Sequence, residues 1–241
     1  MMPKTLAEMV QQYKPSSSTT QLITQTPILL LVGPTGAGKD ALKDKLLTTG
    51  EYHHIISHTT RPPRINHGIL EQDGLEYHFI DPAKAEQMLE AQAFVEAKFY
   101  SGNLYGTSVS EIQMAHDEHK IAMTDVEVQG VAEYKAFDQN VMAAFLLPPD
   151  FETWQGRLQR RYGDVVDAVD AKRRMETALY ELNQLLTSDY YTAFVNDDLE
   201  QTFKAVQTYA QTQKFDVDQE QAARRDAEAL RHEIKQYLTE I

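Results

Sequence analysis

The run Gly33-Pro34-Thr35-Gly36-Ala37-Gly38-Lys39-Asp40 sets glycines, a lysine and an acid at the spacing G-x-x-x-x-G-K. That spacing suits phosphate. Glycines let the backbone wrap an anion without a Cβ clash, and the lysine reaches the outer phosphates of a nucleotide. The elements that must position the loop are adjacent. Pro27 opens the apolar run Ile28-Leu29-Leu30-Leu31-Val32, which predicts a buried parallel strand. Ala41–Leu47 carries leucines at helical spacing, with Gly50 as the stop. Strand, glycine loop and helix N-terminus together aim backbone N–H groups and the positive end of the helix dipole at one anion. Gly33, Thr35, Gly36, Ala37, Gly38, Lys39 and Asp40 are therefore the expected nucleotide-binding residues.

One position departs from the pattern. A Ser or Thr hydroxyl normally follows the lysine and coordinates Mg²⁺; here the residue is Asp40. A carboxylate is also a hard oxygen ligand, so metal binding can survive, with a stronger dependence on the metal. The alternative is a decayed nucleotide site.

A second constellation is Ser57-His58-Thr59-Thr60-Arg61-Pro62-Pro63-Arg64. Two arginines three residues apart, stiffened by prolines, form a fork suited to bidentate contact with phosphate, or else a solvated basic loop. Asp73-Gly74-Leu75-Glu76-Tyr77-His78-Phe79, Phe94-Val95-Glu96 and Tyr100-Ser101-Gly102-Asn103-Leu104-Tyr105-Gly106-Thr107-Ser108 follow. His116 and His119 stand three apart without a third ligand, and read as a solvated helix face.

Composition narrows the class. The 241 residues can bury a substantial core as one domain with insertions or two small ones. The absence of cysteine removes disulfides, thiolate metal sites and thiol catalysis, and suits the cytoplasm. No apolar run is long enough to span a bilayer, and Met1–Pro15 lacks the apolar core of a signal peptide. A net charge of −13 argues against nonspecific nucleic-acid binding, while leaving room for a local cationic pocket.

Strands are expected at 27–32, 54–57, 77–80, 121–126, 142–147 and 193–195. Helices are expected at 5–13, 41–47, 82–91, 108–116, 131–137, 151–161, 169–186 and 199–213. This alternation implies an α/β fold with a mostly parallel sheet flanked by helices. Pro15-Ser16-Ser17-Ser18-Thr19-Thr20 reads as a flexible polar linker. Ala223, Ala227, Leu230, Ile234, Tyr237 and Ile241 form a heptad stripe on a charged terminal helix, which packs on its own chain or joins copies in a homo-oligomer. The expected organisation is an N-terminal extension and linker over 1–26, a core domain carrying the glycine loop over 27–214 and a charged helix over 215–241. Both ends are expected to be appendages outside the catalytic core.

Taken in order, these segments resemble guanylate kinase, and the resemblance covers about Pro27 to Lys214. It is carried by the glycine loop, S-x-T-T-R-x-P-R, D-G-x-x-Y-x-F, F-x-E and S-G-N-x-Y-G-T-S. Asp125-Val126-Glu127-Val128-Gln129-Gly130, Pro148-Pro149, an arginine-bearing lid and Asn196-Asp197-Asp198-Leu199 extend it. The resemblance implies a GMP-binding subdomain over about 57–108 and a lid over about 150–188. It places Arg61, Arg64, Tyr77 and Tyr105 on the GMP phosphate, and Ser57, Glu96 and Thr107 on the guanine ring. Glu127 stands where the family usually has Asp. Asp125 would steady the magnesium shell beside Asp40. Arg157, Arg161 and Arg174 would face ATP phosphates or base, with Arg160 and Arg173 as adjacent alternatives. The implied activity is Mg²⁺-dependent phosphoryl transfer from ATP to GMP. Two other readings stay open: a related kinase on an acceptor such as ribose 1,5-bisphosphate, and a non-catalytic guanylate-kinase-like interaction domain. Retention of Lys39 speaks against the latter.

Overall fold

Ile28–Val32 is buried at every position in the computed structural model, which describes residues 4–66, 68–162 and 168–240. In chain order the elements are α1 (Leu6–Gln12), α2 (Ser17–Gln25), β1 (Ile28–Val32), α3 (Lys39–Leu47), β2 (Tyr52–His54) and β3 (His58–Thr59). Then come β4 (Ile65–Asn66), β5 (Ile69–Leu70), β6 (His78–Phe79), α4 (Pro82–Glu90), β7 (Phe94–Tyr100), β8 (Asn103–Ser108) and α5 (Val109–Asp117). The remainder is β9 (Ile121–Asp125), α6 (Val128–Phe137), β10 (Met142–Leu147), α7 (Phe151–Tyr162), α8 (Ala168–Thr187), β11 (Thr192–Val195), α9 (Leu199–Thr212) and α10 (Val217–Glu240). The chain divides into two compact units, Met1–Pro27 with Tyr52–Ala122, and Ile28–Glu51 with Met123–Ile241.

In the second unit, strands follow the order β11-β10-β1-β9, with β10 parallel to both β1 and β11. All six residues of β10 are buried, as expected of a central strand covered on both faces. This is the parallel α/β sheet that the alternating pattern predicts. In the first unit the order is β6-β3-β8-β7, with β8 antiparallel to β3 and β7.

Two expectations are corrected. The Ser/Thr-rich segment is helical: Ser16 caps α2 by accepting the Thr19 N–H at 3.2 Å, and Leu22 and Ile23 are buried. Polar composition suggested a linker, but a capping serine and two buried apolar residues outweigh it. The N-terminal helix is no appendage either. Thr5 and Glu8 form a capping box on α1, and Val10 sits in a core cluster with Ala85, Leu89, Phe94 and Leu104. The Tyr13 hydroxyl donates to Phe94 O at 2.5 Å and accepts the Phe94 N–H at 2.9 Å.

The C-terminal stripe is spent inside the chain. Ala223, Ala227, Leu230 and Ile234 are buried, with α10 packed on α8 and β11, and Tyr237 meets the Phe151 ring at 5.6 Å. Arg224 anchors the helix by donating to Leu185 O at 2.6 Å and Tyr191 O at 2.9 Å. The last member of the stripe, Ile241, lies outside the described residues, as do residues 163–167 of the expected lid.

Smaller differences bear on the site. The strand expected at 54–57 ends at His54 and pairing resumes at His58, leaving Ser57 in the connection. The hairpin β7–β8 lies outside the strands expected from the sequence, although Ser101-Gly102 between two runs is a turn signal.

Candidate functional site

The glycine loop is held open by contacts from distant elements. Gly38 caps α3 in the left-handed conformation, φ 97°, and no side chain makes a capping hydrogen bond there. The first-turn N–H groups of α3 are thus offered to an anion. A Cβ on Gly38 would lie 2.1 Å from Asn196 Nδ2, and one on Gly33 would lie 2.2 Å from Leu146 O. Only glycine fits either place. Asn196 Nδ2 donates to Ala37 O at 2.8 Å, and Trp154 Nε1 donates to Thr35 O at 2.7 Å. Lys39 curls back onto its own loop, donating to Gly33 O and, at 3.3 Å, to Pro34 O.

Burial holds the Lys39 ammonium below the usual lysine range, partly offset by the charges of Glu181, Asp125 and Asp40. The same burial pushes Glu181, on α8, up to about 7; Lys39 opposes that shift and Glu127 adds to it. Glu181 carries no motif of its own in the sequence, and only folding brings α8 to the glycine loop.

The arginines divide by position. Arg157 Nη2 donates to Asn196 O at 2.9 Å, so it braces the residue that braces the loop. Arg161 Nη1 lies 3.1 Å from Asp40 Oδ2. The Arg174 guanidinium stacks 3.8 Å from the centroid of Tyr162 and is 3.9 Å from Asp170. Arg160 and Arg173 are exposed. Lys43 Nζ meets Asp125 Oδ1 at 3.2 Å, and Glu127 is an exposed N-cap of α6 whose side chain makes no capping bond.

Asp40 and Asp125 fit magnesium chemically. Mg²⁺ is held by one or two carboxylates together with substrate phosphates and waters rather than by an all-protein cage. Among the described residues no group of three His, Cys, Asp or Glu side chains could hold an ion unaided, and this includes His116 and His119. His116 instead meets Thr26 Oγ1 at 3.3 Å.

The Arg161 contact changes the expectation for Asp40. A pair this exposed is worth about 1 kcal/mol or less, so it blunts the Asp40 charge without cancelling it. Asp40→Ser is expected to tighten metal-free ATP binding by about three- to tenfold, with less change once Mg²⁺ is present. Calorimetric titration of ATP into both proteins, with and without Mg²⁺, checks this. Equal metal-free affinities would mean that Arg161 already neutralises the aspartate.

In the first unit, Arg61 is 5% exposed and its guanidinium grips Glu71 twice, at 2.8 and 3.0 Å. Glu71 also accepts the Arg64 N–H at 2.8 Å, which ties both arginines to one carboxylate. This pairing holds the Glu71 carboxyl below the usual range. The Arg61 guanidinium lies 5.3 Å from the Tyr77 ring centroid, and Tyr77 meets Tyr105 edge-on at 6.0 Å. Thr59 and Thr60 dock this loop onto β8: Thr59 Oγ1 donates to Leu104 O, and Thr60 Oγ1 accepts the Leu104 N–H, each at 2.9 Å. Arg64 stays exposed.

Glu96 and Thr107 are cross-strand partners on β7 and β8, and Glu96 Oε1 accepts the Thr107 N–H at 3.0 Å. A bulge between Phe94 and Glu96 shifts the register just before the carboxylate. The Ser57 carbonyl accepts the His78 N–H at 2.9 Å. Of the residues predicted from sequence, Ser57, Arg61, Arg64, Tyr77, Glu96, Tyr105 and Thr107 fall in the first unit. Lys39, Asp40, Asp125, Glu127, Arg157, Arg161 and Arg174 fall in the second. Glu71 on Arg61, and Trp154 and Asn196 on the glycine loop, carry no local signal of these contacts in the sequence.

A glycine loop between a parallel strand and a helix, with a lysine at its end, makes this a P-loop protein of the α/β class. A family model described as Guanylate kinase matches residues 25–213. The chain is 33% identical to the guanylate kinase of Schizosaccharomyces pombe over 196 residues, which is 80% of this chain and 94% of that protein. It is 35% identical to the guanylate kinase of Porphyromonas gingivalis over 189 residues, 75% of this chain and 96% of the other. The crystal structure of guanylate kinase from Anaplasma phagocytophilum shares the fold with a TM-score of 0.56 at 22% identity, covering 80% of this chain and 89% of that one. The chain belongs to the guanylate kinase family. Among the described residues no helix is long and apolar enough to cross a membrane.

Proposed function

We propose that this chain transfers the γ-phosphoryl group of ATP to GMP, and to dGMP, by in-line displacement. The observation that carries the choice of acceptor is Glu96, a carboxylate held against the Thr107 N–H on the β7–β8 hairpin. Guanine presents N1–H and the N2 amino group side by side, and a carboxylate accepts both. Adenine has an acceptor at N1 and no N2 amino group, so it offers that carboxylate neither donor. A site built around such donors rejects the analogue by on the order of 10⁴-fold.

Ser57 and Thr107 join Glu96 on the base, with Glu127 in the place of the usual Asp. Arg61 and Arg64 clamp the acceptor phosphate, oriented by Glu71 and flanked by the Tyr77 and Tyr105 hydroxyls. Lys39, with Arg157, Arg161 and Arg174, balances the charge of the ATP phosphates. Magnesium, when bound through Asp40 and Asp125, supplies further neutralisation between the phosphates. Positioning and electrostatics suffice for phosphoryl transfer, and no general base is needed because the acceptor phosphate is already an anion.

A coupled ADP-release assay with GMP, dGMP, AMP, UMP and ribose 1,5-bisphosphate tests the reading. Turnover is expected with GMP and dGMP alone. Use of AMP would overturn the assignment of Glu96. Preference for the bisphosphate would move the chain to the related acceptor class, and no turnover with any acceptor would leave a non-catalytic domain.

A further inference from the structure

Glu111 belongs to no motif, yet it is a carboxylate with only 3% of its surface exposed in the first turn of α5. Burying an unbalanced carboxylate costs several kcal/mol, so its partners should matter. Oε2 accepts the Ile56 N–H at 2.9 Å and lies 3.4 Å from His53 Nε2; Oε1 lies 3.1 Å from His78 Nε2. A carboxylate only accepts, so both histidines present Nε2–H to it.

These contacts close a ring around Ser57. Glu111 holds the residue before it through the Ile56 N–H. The Ser57 carbonyl is held by the His78 N–H at 2.9 Å, and the His78 side chain returns to the other oxygen of Glu111. The residue after Ser57 is fixed by its ring: His58 lies 4.6 Å from His78 and meets Phe94 edge-on at 6.0 Å. Burial, with His78 nearby, pushes His58 down to about 4, so this ring is neutral near pH 7. Helix α5 also starts directly after β8, which carries Thr107. One carboxylate thus sets the chain on either side of Ser57 from the helix that follows Thr107.

We infer that Glu111 is a positioning residue for guanine recognition, acting through Ser57 and not on the phosphates. The inference rests on the proposed GMP kinase activity. A residue that acts only through Ser57 should lose its effect once the Ser57 hydroxyl is gone, whereas a merely stabilising residue should add to it.

The test is a double-mutant cycle of Ser57→Ala with Glu111→Ala and Glu111→Gln, reading KM for GMP, KM for ATP, kcat and the melting temperature. Glu111→Ala is expected to raise KM for GMP about tenfold, with kcat and KM for ATP within about twofold of the parent. Glu111→Gln keeps one acceptor oxygen and loses the other, so its rise should be about threefold. In the Ser57→Ala background neither substitution should raise KM for GMP further. Additive effects, an equal rise in KM for ATP, or an unchanged KM for GMP in the glutamine variant would each overturn the inference. So would failure of both Glu111 variants to fold, because Glu111 would then be a core ion-pair residue. A parent without GMP turnover overturns the functional reading itself. A parent with turnover but additive variants overturns the role of Glu111 alone.

Discussion

Arg61→Ala is expected to lower kcat/KM for GMP by about a hundredfold or more and, in the same protein, to lower the melting temperature by about 10 °C. The two losses have one origin. Arg61 is buried with both Nη groups on Glu71, whose side chain is itself only 10% exposed. Truncation removes the proposed charge-assisted phosphate clamp and leaves the Glu71 carboxylate buried without the guanidinium it accompanies. Breaking a buried pair from one side costs about 3–5 kcal/mol, and each kcal/mol moves the melting point of a chain this long by about 2–4 °C. Arg64→Ala is the control. Its side chain is exposed, so KM for GMP should rise while the melting temperature stays within about 1 °C. Steady-state kinetics beside thermal melting separates the two arginines. An Arg61→Ala protein that melts with the parent would show that Glu71 finds another partner.

Lys39→Met should reduce kcat by about 10²–10³-fold, the usual cost of losing one charged group aimed at a developing phosphate charge. The fold should survive, because among the described residues Lys39 bonds to carbonyls of its own loop, and methionine matches its length. The electrostatic consequence falls on Glu181. Its carboxyl, already pushed up to about 7 by burial, loses the cation that opposes the shift and rises further. The sign of the pH effect follows. Between the ordinary carboxylate value of 4.5 and about 7 the native parent holds more protons than the unfolded chain, so stability falls as pH rises through that window. In Lys39→Met the decline should extend to higher pH. Melting curves from pH 5 to 9 would show this, and identical profiles for the two proteins would mean that Lys39 and Glu181 do not interact.

Much of the molecule was legible before folding was considered. The Leu-rich run of β1, the glycines, Lys39 and the helix after them are local features, and their chemistry follows from residue type and spacing alone. The parallel order of helices and strands in the second unit is equally local, because a period of two or 3.6 needs no knowledge of neighbours. The family's segments, arriving in order, carried the candidate residues with them.

Other features existed only in three dimensions. Pro15–Thr20 has linker composition, yet Ser17–Gln25 becomes helix because Leu22 and Ile23 find a core. The stripe on α10 has the spacing of an oligomer seam, and α8 and β11 of its own chain cover it. The partners of the functional groups were hidden in the same way. Glu71 on Arg61, Asn196 and Trp154 on the glycine loop, Arg161 on Asp40 and Glu111 around Ser57 join residues whose side chains meet only when the sheet and helices close. Sequence alone determined which groups can do the chemistry, since that follows from side-chain type and local spacing. Tertiary structure alone decided what holds each group in place, because burial and pairing depend on neighbours that are distant along the chain.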